Sequence, residues 1–245
     1  MIFIIKWVKW SKPKKGGGRP SQTPGFLMGR TRYSEEERNK IITNFIRCTR
    51  EIIDLEGVEQ VSIRKVAQAA GFNSATLYLY FQDADELITL ASMSYLENYC
   101  RTLAADIQHM EDPYQIYLHT WKVFCLHAFS RPTVFYHLFY HPHSKPLEET
   151  VTRYYQIYPM QLSGASGPVR EMLLAGTLEE RNRKILCSLG EQGYFPGEQM
   201  ELINDLTICY FRKLLEESCG QEGTLVQQEK TQQLLGAIHF MIPQP

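Results

Sequence analysis

The stretch from Ser62 to Phe81, SIRKVAQAAGFNSATLYLYF, predicts two short helices joined by a tight turn. Ser62 and Asn73 are residue types that cap helix N-termini, and each precedes an apolar pattern with helical spacing. Gly71 stands where the first helix must end in the left-handed conformation that glycine adopts without strain. The pattern therefore predicts a helix-turn-helix.

The second helix of this motif is short of charge on its outer face, which is unusual for a helix that only packs. Ser and Thr side chains can contact base edges in a major groove, and Tyr hydroxyls can reach phosphates. A helical hairpin used for packing alone is the alternative. The predicted DNA contacts come from small, polar and aromatic residues of both helices: Ser62, Arg64, Asn73, Ser74, Ala75, Thr76, Tyr78 and Tyr80.

The segment from about Glu36 to Leu87 resembles the DNA-binding domain of the TetR/AcrR family of bacterial transcription regulators. The resemblance rests on the turn Gly71-Phe72-Asn73 and on the run Thr76-Leu77-Tyr78-x-Tyr80-Phe81. The family usually carries a lysine just after this phenylalanine, where this chain has Gln82 and Ala84. The resemblance implies an all-α protein with an N-terminal three-helix helix-turn-helix domain. A larger C-terminal helical domain would enclose a small-molecule effector and form a homodimer.

Composition indicates a flexible basic tail over 1–33, and the resemblance implies a helix-turn-helix domain over 34–82 and a helical effector-binding and dimerisation domain over 83–245. Residues 1–81 carry fourteen Lys and Arg against seven Asp and Glu, a net +7. The remaining residues carry twelve against twenty, a net −8. The basic part contains the motif, as an electrostatic DNA footprint requires.

The chain has a second methionine that resembles a family start. Met28 opens MGRTRYSEEE, which is similar to the way family members begin. Residues 1–27 are therefore expected to be either an upstream extension from a wrongly chosen start or a basic arm. Such an arm would reach the minor groove, and Arg30 and Arg32 can serve in this way under either start.

Helical periodicity extends along the chain, and no segment shows sustained two-residue alternation, so no sheet is expected. Ser34-Glu35-Glu36-Glu37 is a capping box that opens a helix closed by Gly57. Asp83 opens a long helix toward Ile107 that would link the two domains. Six further helices are predicted, over 113–130, 132–141, 147–158, 169–189, 197–218 and 224–242.

Aromatic residues are dense between residues 95 and 158. Most aromatic side chains are ordinary core, but Tyr and Trp have polar tips that need partners, and so many together favour a cavity. The predicted pocket is lined by Tyr99, Trp121, Phe124, Phe139 and Tyr155. The scarcity of charges in this region predicts a mostly apolar effector, either aromatic or cationic.

The helices over 197–218 and 224–242 carry apolar stripes that are broader than a one-sided surface helix needs. The family resemblance implies that this pair forms a four-helix bundle with its symmetry mate, and a palindromic DNA site requires a dimer. The predicted dimer interface includes Leu206, Tyr210, Leu235 and Ile238.

Other classes of site have weak or no sequence support. His137 and His141 lie one helical turn apart, but without a carboxylate or cysteine at ligand spacing we expect no metal. No phosphate loop or nucleophile elbow is visible, so neither a cofactor nor enzyme activity is expected. The six cysteines form no CxxC pair and predict reduced thiols, with a redox sensor as the alternative. No run has the length of a membrane span, which favours a cytoplasmic protein.

The sequence therefore predicts a DNA-binding regulator, most simply a repressor that a small molecule releases from its operator. A ligand would bias the tilt of the long helix from Asp83 and move the two reading helices out of register. The alternative is a helical ligand-binding or interaction protein that has lost DNA binding, which the missing lysine near Ala84 favours.

Overall fold

A computed structural model describes residues 33–142, 146–158, 170–172, 175–221 and 223–243. Within these ranges the regular structure is helical and contains no strand, as predicted for an all-α protein. Ten α-helices have both ends there: α1 (Glu35–Glu56), α2 (Ile63–Ala69), α3 (Ser74–Leu77), α4 (Ala84–Asp106), α5 (Pro113–Ser130), α6 (Pro132–Tyr140), α7 (Leu147–Ile157), α8 (Leu178–Glu191), α9 (Met200–Ser218) and α10 (Thr224–Met241).

By its contacts the chain divides into residues 1–33 and 34–245. The predicted basic tail lies outside the described residues except for Tyr33. Within the second unit, we call residues 34–82 the head and residues 83–243 the body. None of the helices in the described part is both long and apolar enough to cross a membrane.

The first helix begins and ends at the predicted residues. The Ser34 hydroxyl accepts a hydrogen bond from the Glu37 backbone N–H at 3.2 Å, and the Glu37 carboxylate accepts one from the Ser34 N–H at 2.7 Å. This reciprocal pair is a capping box and satisfies two N–H groups that the helix leaves open. Gly57 ends α1 with a φ of +94°, which side chains other than glycine rarely adopt.

The turn between α2 and α3 is a glycine-centred helix end followed directly by a new cap. Gly71 has a φ of +78°, and the Phe72 N–H donates back to the Ala67 carbonyl at 2.8 Å. The Asn73 side-chain oxygen then accepts from the Thr76 N–H at 2.9 Å and starts α3. The regular part of α3 spans four residues and continues as turns over 78–80, so the second helix of the motif is short.

The head has a dry aromatic core built around Phe45 of α1. The Phe45 ring lies 5.3 Å from Phe72 and 6.0 Å from Phe81, measured between ring centroids. Val66 and Leu77 are fully buried beside them. Because these side chains come from all three helices, their burial fixes the angle between α2 and α3.

The long helix α4 connects the head to the body. The Asp83 carboxylate accepts from the Glu86 N–H at 2.9 Å and caps the helix as predicted. The apolar residues predicted along it, Leu87, Leu90, Met93 and Leu96, are fully buried. Helix α4 packs against α1 on the head side and against α5, α6 and α7 in the body.

In the body, α5 packs against α10 and α8, and α9 packs against α8 and α10. Most helix ends lie within one residue of the prediction, but the single helix predicted over 169–189 is wrong. A new helix begins at Leu178, where Thr177 accepts from the Glu180 N–H at 3.2 Å in a second capping box. The Thr177 cap, preceded by Gly176, overrides the apolar periodicity that runs through this segment.

Candidate nucleic-acid interface and ligand cavity

Five of the eight residues predicted to contact DNA are exposed on the helix-turn-helix: the two helix caps Ser62 and Asn73, and Arg64, Ala75 and Tyr78. Arg64 on α2 and Ala75 on α3 are open to solvent, and Tyr78 is 58% exposed. Leu79 beside it is 60% exposed and was missed, because a leucine between two tyrosines looks like core in the sequence. Together these side chains form a surface with apolar, aromatic and cationic groups.

The predicted contacts other than Arg64, Ala75 and Tyr78 shape the motif. Ser62 and Asn73 use their side-chain oxygens as helix caps, and the Thr76 hydroxyl donates to the Asn73 side chain at 3.1 Å. Ser74 and Tyr80 are half-buried, and the Tyr80 ring lies 6.4 Å from Phe45. These residues set the orientation of α3, and they can meet DNA through their remaining exposed atoms.

Charge near the interface differs from the family pattern noted above. The family usually has a lysine at the position of Gln82 or Ala84. In this chain Gln82 is exposed, and Asp83 caps α4. Lys65 on α2 is paired with Glu56 of α1. Arg64 makes no ion pair within the described parts of the chain, so it is the cation of the motif that a phosphate or base can engage without competition.

An arginine from the body contacts the end of residues 74–81, which comprise α3 and the turns after it and which we call the recognition segment. Arg153 on α7 pairs with Glu86 and donates to the Tyr80 carbonyl at 2.7 Å. Its guanidinium also lies 5.2 Å from the centroid of the Phe81 ring. The second oxygen of Glu86 accepts from the Gln82 N–H at 2.6 Å. We call these contacts of Arg153 the clasp, since they join α7 to the residues that follow α3.

A second connection joins α1 to the junction of α5 and α6. The Asp54 carboxylate accepts from the Tyr95 hydroxyl at 2.9 Å and pairs with Arg131 at 3.1 Å. Helix α4 was predicted to link the head and the body. The structure adds two further connections between them, the clasp and the contacts of Asp54. Neither had a sequence signal, because each joins residues more than forty positions apart.

The body contains a small cavity between α4, α5 and α8. Its volume is about 20 Å³, which is close to the space that one water molecule needs. Three of the five predicted pocket residues, Tyr99, Trp121 and Phe124, line it. Phe139 and Tyr155 are not among the lining residues, although Phe139 packs against Phe124 with 5.9 Å between ring centroids.

The cavity also has a polar and charged side that sequence reasoning missed. Arg181 and Asn182 of α8 both line it and are buried. The Asn182 side-chain oxygen accepts from the Trp121 indole N–H at 3.0 Å. Arg181 and Asn182 lie three and four residues after Leu178, on the stripe that also contains Ile185 and Leu189. Two polar residues within a buried stripe were the signal that could have found this side of the cavity.

Residues 45–90 match the family model described as "Bacterial regulatory proteins, tetR family". This segment of the chain is similar to the DNA-binding segment of tetR-family regulators. An uncharacterized HTH-type transcriptional regulator of Haemophilus influenzae is 28% identical over 87 residues, which are 36% of this chain and 46% of that protein. The match therefore spans about half the length of this curated relative. The family model and this relative are both described as regulators, and the match to the family model includes the helix-turn-helix.

Two solved structures share the fold beyond the matched segment. RolR in complex with resorcinol has a TM-score of 0.57 at 16% identity, over 85% of this chain and 90% of RolR. FadR of Thermus thermophilus, a TetR family repressor in complex with lauroyl-CoA, has a TM-score of 0.54 at 13% identity, over 83% of this chain and 98% of FadR. At such identities the likeness concerns the fold.

The four residues predicted at a dimer interface lie in different environments. Leu206 on α9 is 48% exposed, and Tyr210 and Leu235 are half-buried. Ile238 of α10 is fully buried within this chain, so it does not reach the outer surface. The sequence stripe on α10 combined two faces, because α10 packs against α5 and α9 and buries Ile238 within the chain.

Two further predictions concern histidines and cysteines. The structure brings the Asp85 carboxylate to His137 Nε2 at 3.3 Å and to His141 Nε2 at 3.8 Å, so a carboxylate does lie at ligand distance. The carboxylate oxygen and the two imidazole nitrogens lie within 4.8 Å of one another. They form a contact between α4 and the C-terminal end of α6. All six cysteines are free, in agreement with the expectation of reduced thiols.

Proposed function

We propose that this chain is a ligand-responsive repressor that binds a palindromic operator as a homodimer and leaves it when a small molecule occupies the body. The clasp is the observation that carries this proposal, because Arg153 of the body contacts the recognition segment directly through Tyr80 and Glu86. A cytoplasmic location, where bacterial DNA lies, is part of the proposal. The match of residues 45–90 to the tetR family model and the ligand-bound structures of RolR and FadR support it.

In this proposal the recognition segment enters the major groove with Tyr78, Ala75 and Leu79 outward. Leu79 and Ala75 can meet thymine methyl groups, and the Tyr78 hydroxyl can reach a phosphate. Arg64 approaches the same duplex from α2. Gln82 and Ala84 are uncharged where the family usually has a lysine. Shape and apolar contacts therefore carry a larger share of the binding energy.

The proposed dimer forms through the outer faces of α9 and α10. Leu202 and Leu206 lie one turn apart on α9, and Leu225 and Phe240 lie on α10; all four are exposed in the single chain. Exposed large apolar side chains at helical spacing indicate a surface that another subunit covers. Two heads joined in this way would read half-sites about 34 to 36 Å apart.

The proposed switch runs from the cavity to the clasp. Tyr154 follows Arg153 on α7, and its hydroxyl donates to Glu97 of α4 at 2.7 Å. Helix α4 also supplies Tyr99 to the cavity wall. Because the closed cavity holds about one water, a bound effector must displace these walls. Movement of α4 or α7 then shifts Arg153 and the recognition segment without any contact between effector and DNA.

A gel shift with DNA from upstream of the gene that encodes this chain tests the DNA-binding part. We expect Arg64→Ala and Tyr78→Ala each to weaken binding by about 1 to 3 kcal/mol. Arg183→Ala is the matched control, since Arg183 is an exposed arginine of α8 paired with Glu201. Wild-type protein that binds no such DNA would favour the alternative, a ligand-binding protein without DNA binding.

Sedimentation at micromolar concentration tests the dimer. Leu206→Glu should yield monomers, because a charge in a covered apolar interface is strongly unfavourable. Leu55→Glu is the control, since Leu55 is an exposed leucine on α1, outside the proposed interface. A monomeric wild type would refute this part of the proposal.

A further inference from the structure

Arg181 is a buried arginine with no hydrogen-bonding partner. Its side chain is 3% exposed, and Nε and both terminal nitrogens of its guanidinium make no hydrogen bond to any other part of the described chain. Buried arginines are almost always paired, because removing a charge from water without compensation is strongly unfavourable. Arg181 lines the cavity, so its unused donors are next to the space that a ligand would occupy.

The groups beside Arg181 do not supply the missing negative charge. Burial raises the pKa of the Cys100 thiol to about 11, although the charge of Arg181 and the proximity of its side chain, which makes no hydrogen bond of normal geometry, act in the opposite direction. Burial likewise raises the pKa values of Tyr99 and Tyr155 well above the usual range of a phenol. All three groups are therefore neutral near pH 7, whereas a guanidinium keeps its proton in proteins.

The carboxylates of the neighbouring segments are occupied elsewhere. Glu97 of α4 pairs with Arg101 and accepts from Tyr154. Glu171 pairs with Lys184, Glu201 pairs with Arg183, and Glu180 of α8 accepts from the Thr177 N–H. The two cations that follow Arg181 on α8 thus have carboxylate partners, and the buried Arg181 has none in the described ion pairs.

We propose that the effector is a small molecule with an apolar or aromatic body and a carboxylate, and that Arg181 binds this carboxylate. A guanidinium fork matches the two oxygens of a carboxylate and binds them in parallel. Trp121, Phe124 and Ile185 contact the apolar body.

This inference rests on the proposed function, since it names the chemical class of the effector. It also corrects the expectation of a cationic ligand, because a buried guanidinium at the cavity wall repels cations. The cationic hypothesis came from aromatic residues alone, and the sequence could not show that Arg181 shares their cavity.

The first experiment needs no knowledge of the effector. We expect Arg181→Met to raise the melting temperature of the ligand-free protein, because methionine fills the space without a buried charge. An arginine kept for structure would instead stabilise the fold, and its loss would lower the melting temperature. Arg183→Met, two positions along α8, is the control and should change it little. A lower melting temperature for Arg181→Met than for Arg183→Met overturns the proposal.

The second experiment compares carboxylates with their uncharged amides. The probes are benzoate, phenylacetate, cinnamate and the straight-chain alkanoates from six to twelve carbons, each paired with its primary amide. We expect at least one carboxylate to bind the wild type at least about tenfold more tightly than its amide, measured by thermal shift and calorimetry. Arg181→Met should abolish this preference, and Arg181→Lys should keep part of it. If no carboxylate is preferred over its amide, the proposal is wrong.

Operator binding is measured separately in the same variants, so the two proposals can fail independently. A carboxylate that binds through Arg181 without changing operator affinity would support the anion site and refute the release mechanism. Release of the operator by uncharged compounds, equally in wild type and Arg181→Met, would support the release mechanism and refute the anion site.

Discussion

The head and the body differ in how completely their buried polar groups are satisfied. Within the described residues, the head leaves no buried side-chain polar atom without a hydrogen bond, and its core is a cluster of rings around Phe45. The body contains several buried polar groups without partners, on Ser92, Tyr117, Tyr140, Tyr155, Arg181 and Asn204. Native interiors satisfy almost all such groups, so this concentration in one region is informative.

Under the proposed function, this difference separates a part that is complete by itself from a part that a ligand completes. A satisfied, well-packed head would hold its recognition face in one geometry, as reading DNA requires. The unsatisfied guanidinium of Arg181 at the cavity makes the ligand-free body less stable than it could be, and a ligand that pairs with it would recover that free energy. In the proposed switch, the clasp between head and body transmits the change.

The largest effect should follow from opening the core of the head. Leu77→Ala should lower the free energy of unfolding by about 4 kcal/mol, because Leu77 is fully buried and the ring cluster around it cannot collapse into the space. Leu79→Ala, two residues along the same segment, removes an exposed side chain and should change stability by less than about 0.5 kcal/mol. Equal losses in chemical denaturation would show that the head is not the tightly packed unit described above.

Breaking the clasp should have the next largest effect. Arg153→Met leaves the Glu86 carboxylate buried without its cation and should lower stability by about 3 kcal/mol, since one partner of a buried pair is removed. Glu86→Gln in the same chain should restore part of this loss. The double variant should also bind operator with an affinity that no longer responds to ligand, as gel shifts can measure. A variant that keeps both stability and response would show that the clasp does not couple head and body.

Within the body, two tyrosines of α5 distinguish satisfied from unsatisfied hydroxyls. Tyr114 and Tyr117 are both fully buried, but the Tyr114 hydroxyl donates to the Ile242 carbonyl at 2.8 Å and the Tyr117 hydroxyl has no partner. Tyr114→Phe should therefore lose about 1 kcal/mol, and Tyr117→Phe should lose nothing or gain stability. Thermal unfolding of the two variants measures the difference, and a larger loss at Tyr117 would contradict the contrast.

The smallest effect concerns charges on the surface of the body. Hydrogen bonds from Lys213 and Lys230 lower the pKa of Glu217 from 4.5 to about 2, and Lys230 joins α10 to α9 through it. Since the pKa is lower in the folded state, this stabilisation is present above pH 4.5 and is lost as the pH falls toward 2. The difference in melting temperature between wild type and Glu217→Gln should shrink over that range. Glu216→Gln, whose partner Arg212 is on the same helix, is the control.

The sequence predicted the head well because its signals are local. Ser34, Asn73 and Asp83 are caps that act within four residues, and Gly71 satisfies a backbone requirement at its own position. Such signals can be read without knowing which helices meet. The same local chemistry at Thr177, when overlooked, produced the one wrong helix.

The body was predicted only in outline because its site depends on contacts between distant segments. Arg181 became a cavity residue only once α8 packed on α4 and α5, and the Arg153 contacts with Tyr80 and Glu86 span about seventy residues. Composition indicated aromatic residues for the cavity but could not tell which of them face it. Phe139 and Ile238 share their periodicity with residues on other faces, so periodicity alone assigned them wrongly to the cavity lining and the outer surface.

The size of the cavity has a consequence for how fast the molecule responds. A space of about 20 Å³ admits no compound larger than water, so under the proposed function an effector would bind only after the walls from α4, α5 and α8 move apart. The association rate constant should then lie well below the usual 10⁵ to 10⁷ M⁻¹s⁻¹, and the observed rate should level off as ligand concentration rises. A brief pulse of ligand would therefore occupy few molecules, and only sustained exposure would fill the site.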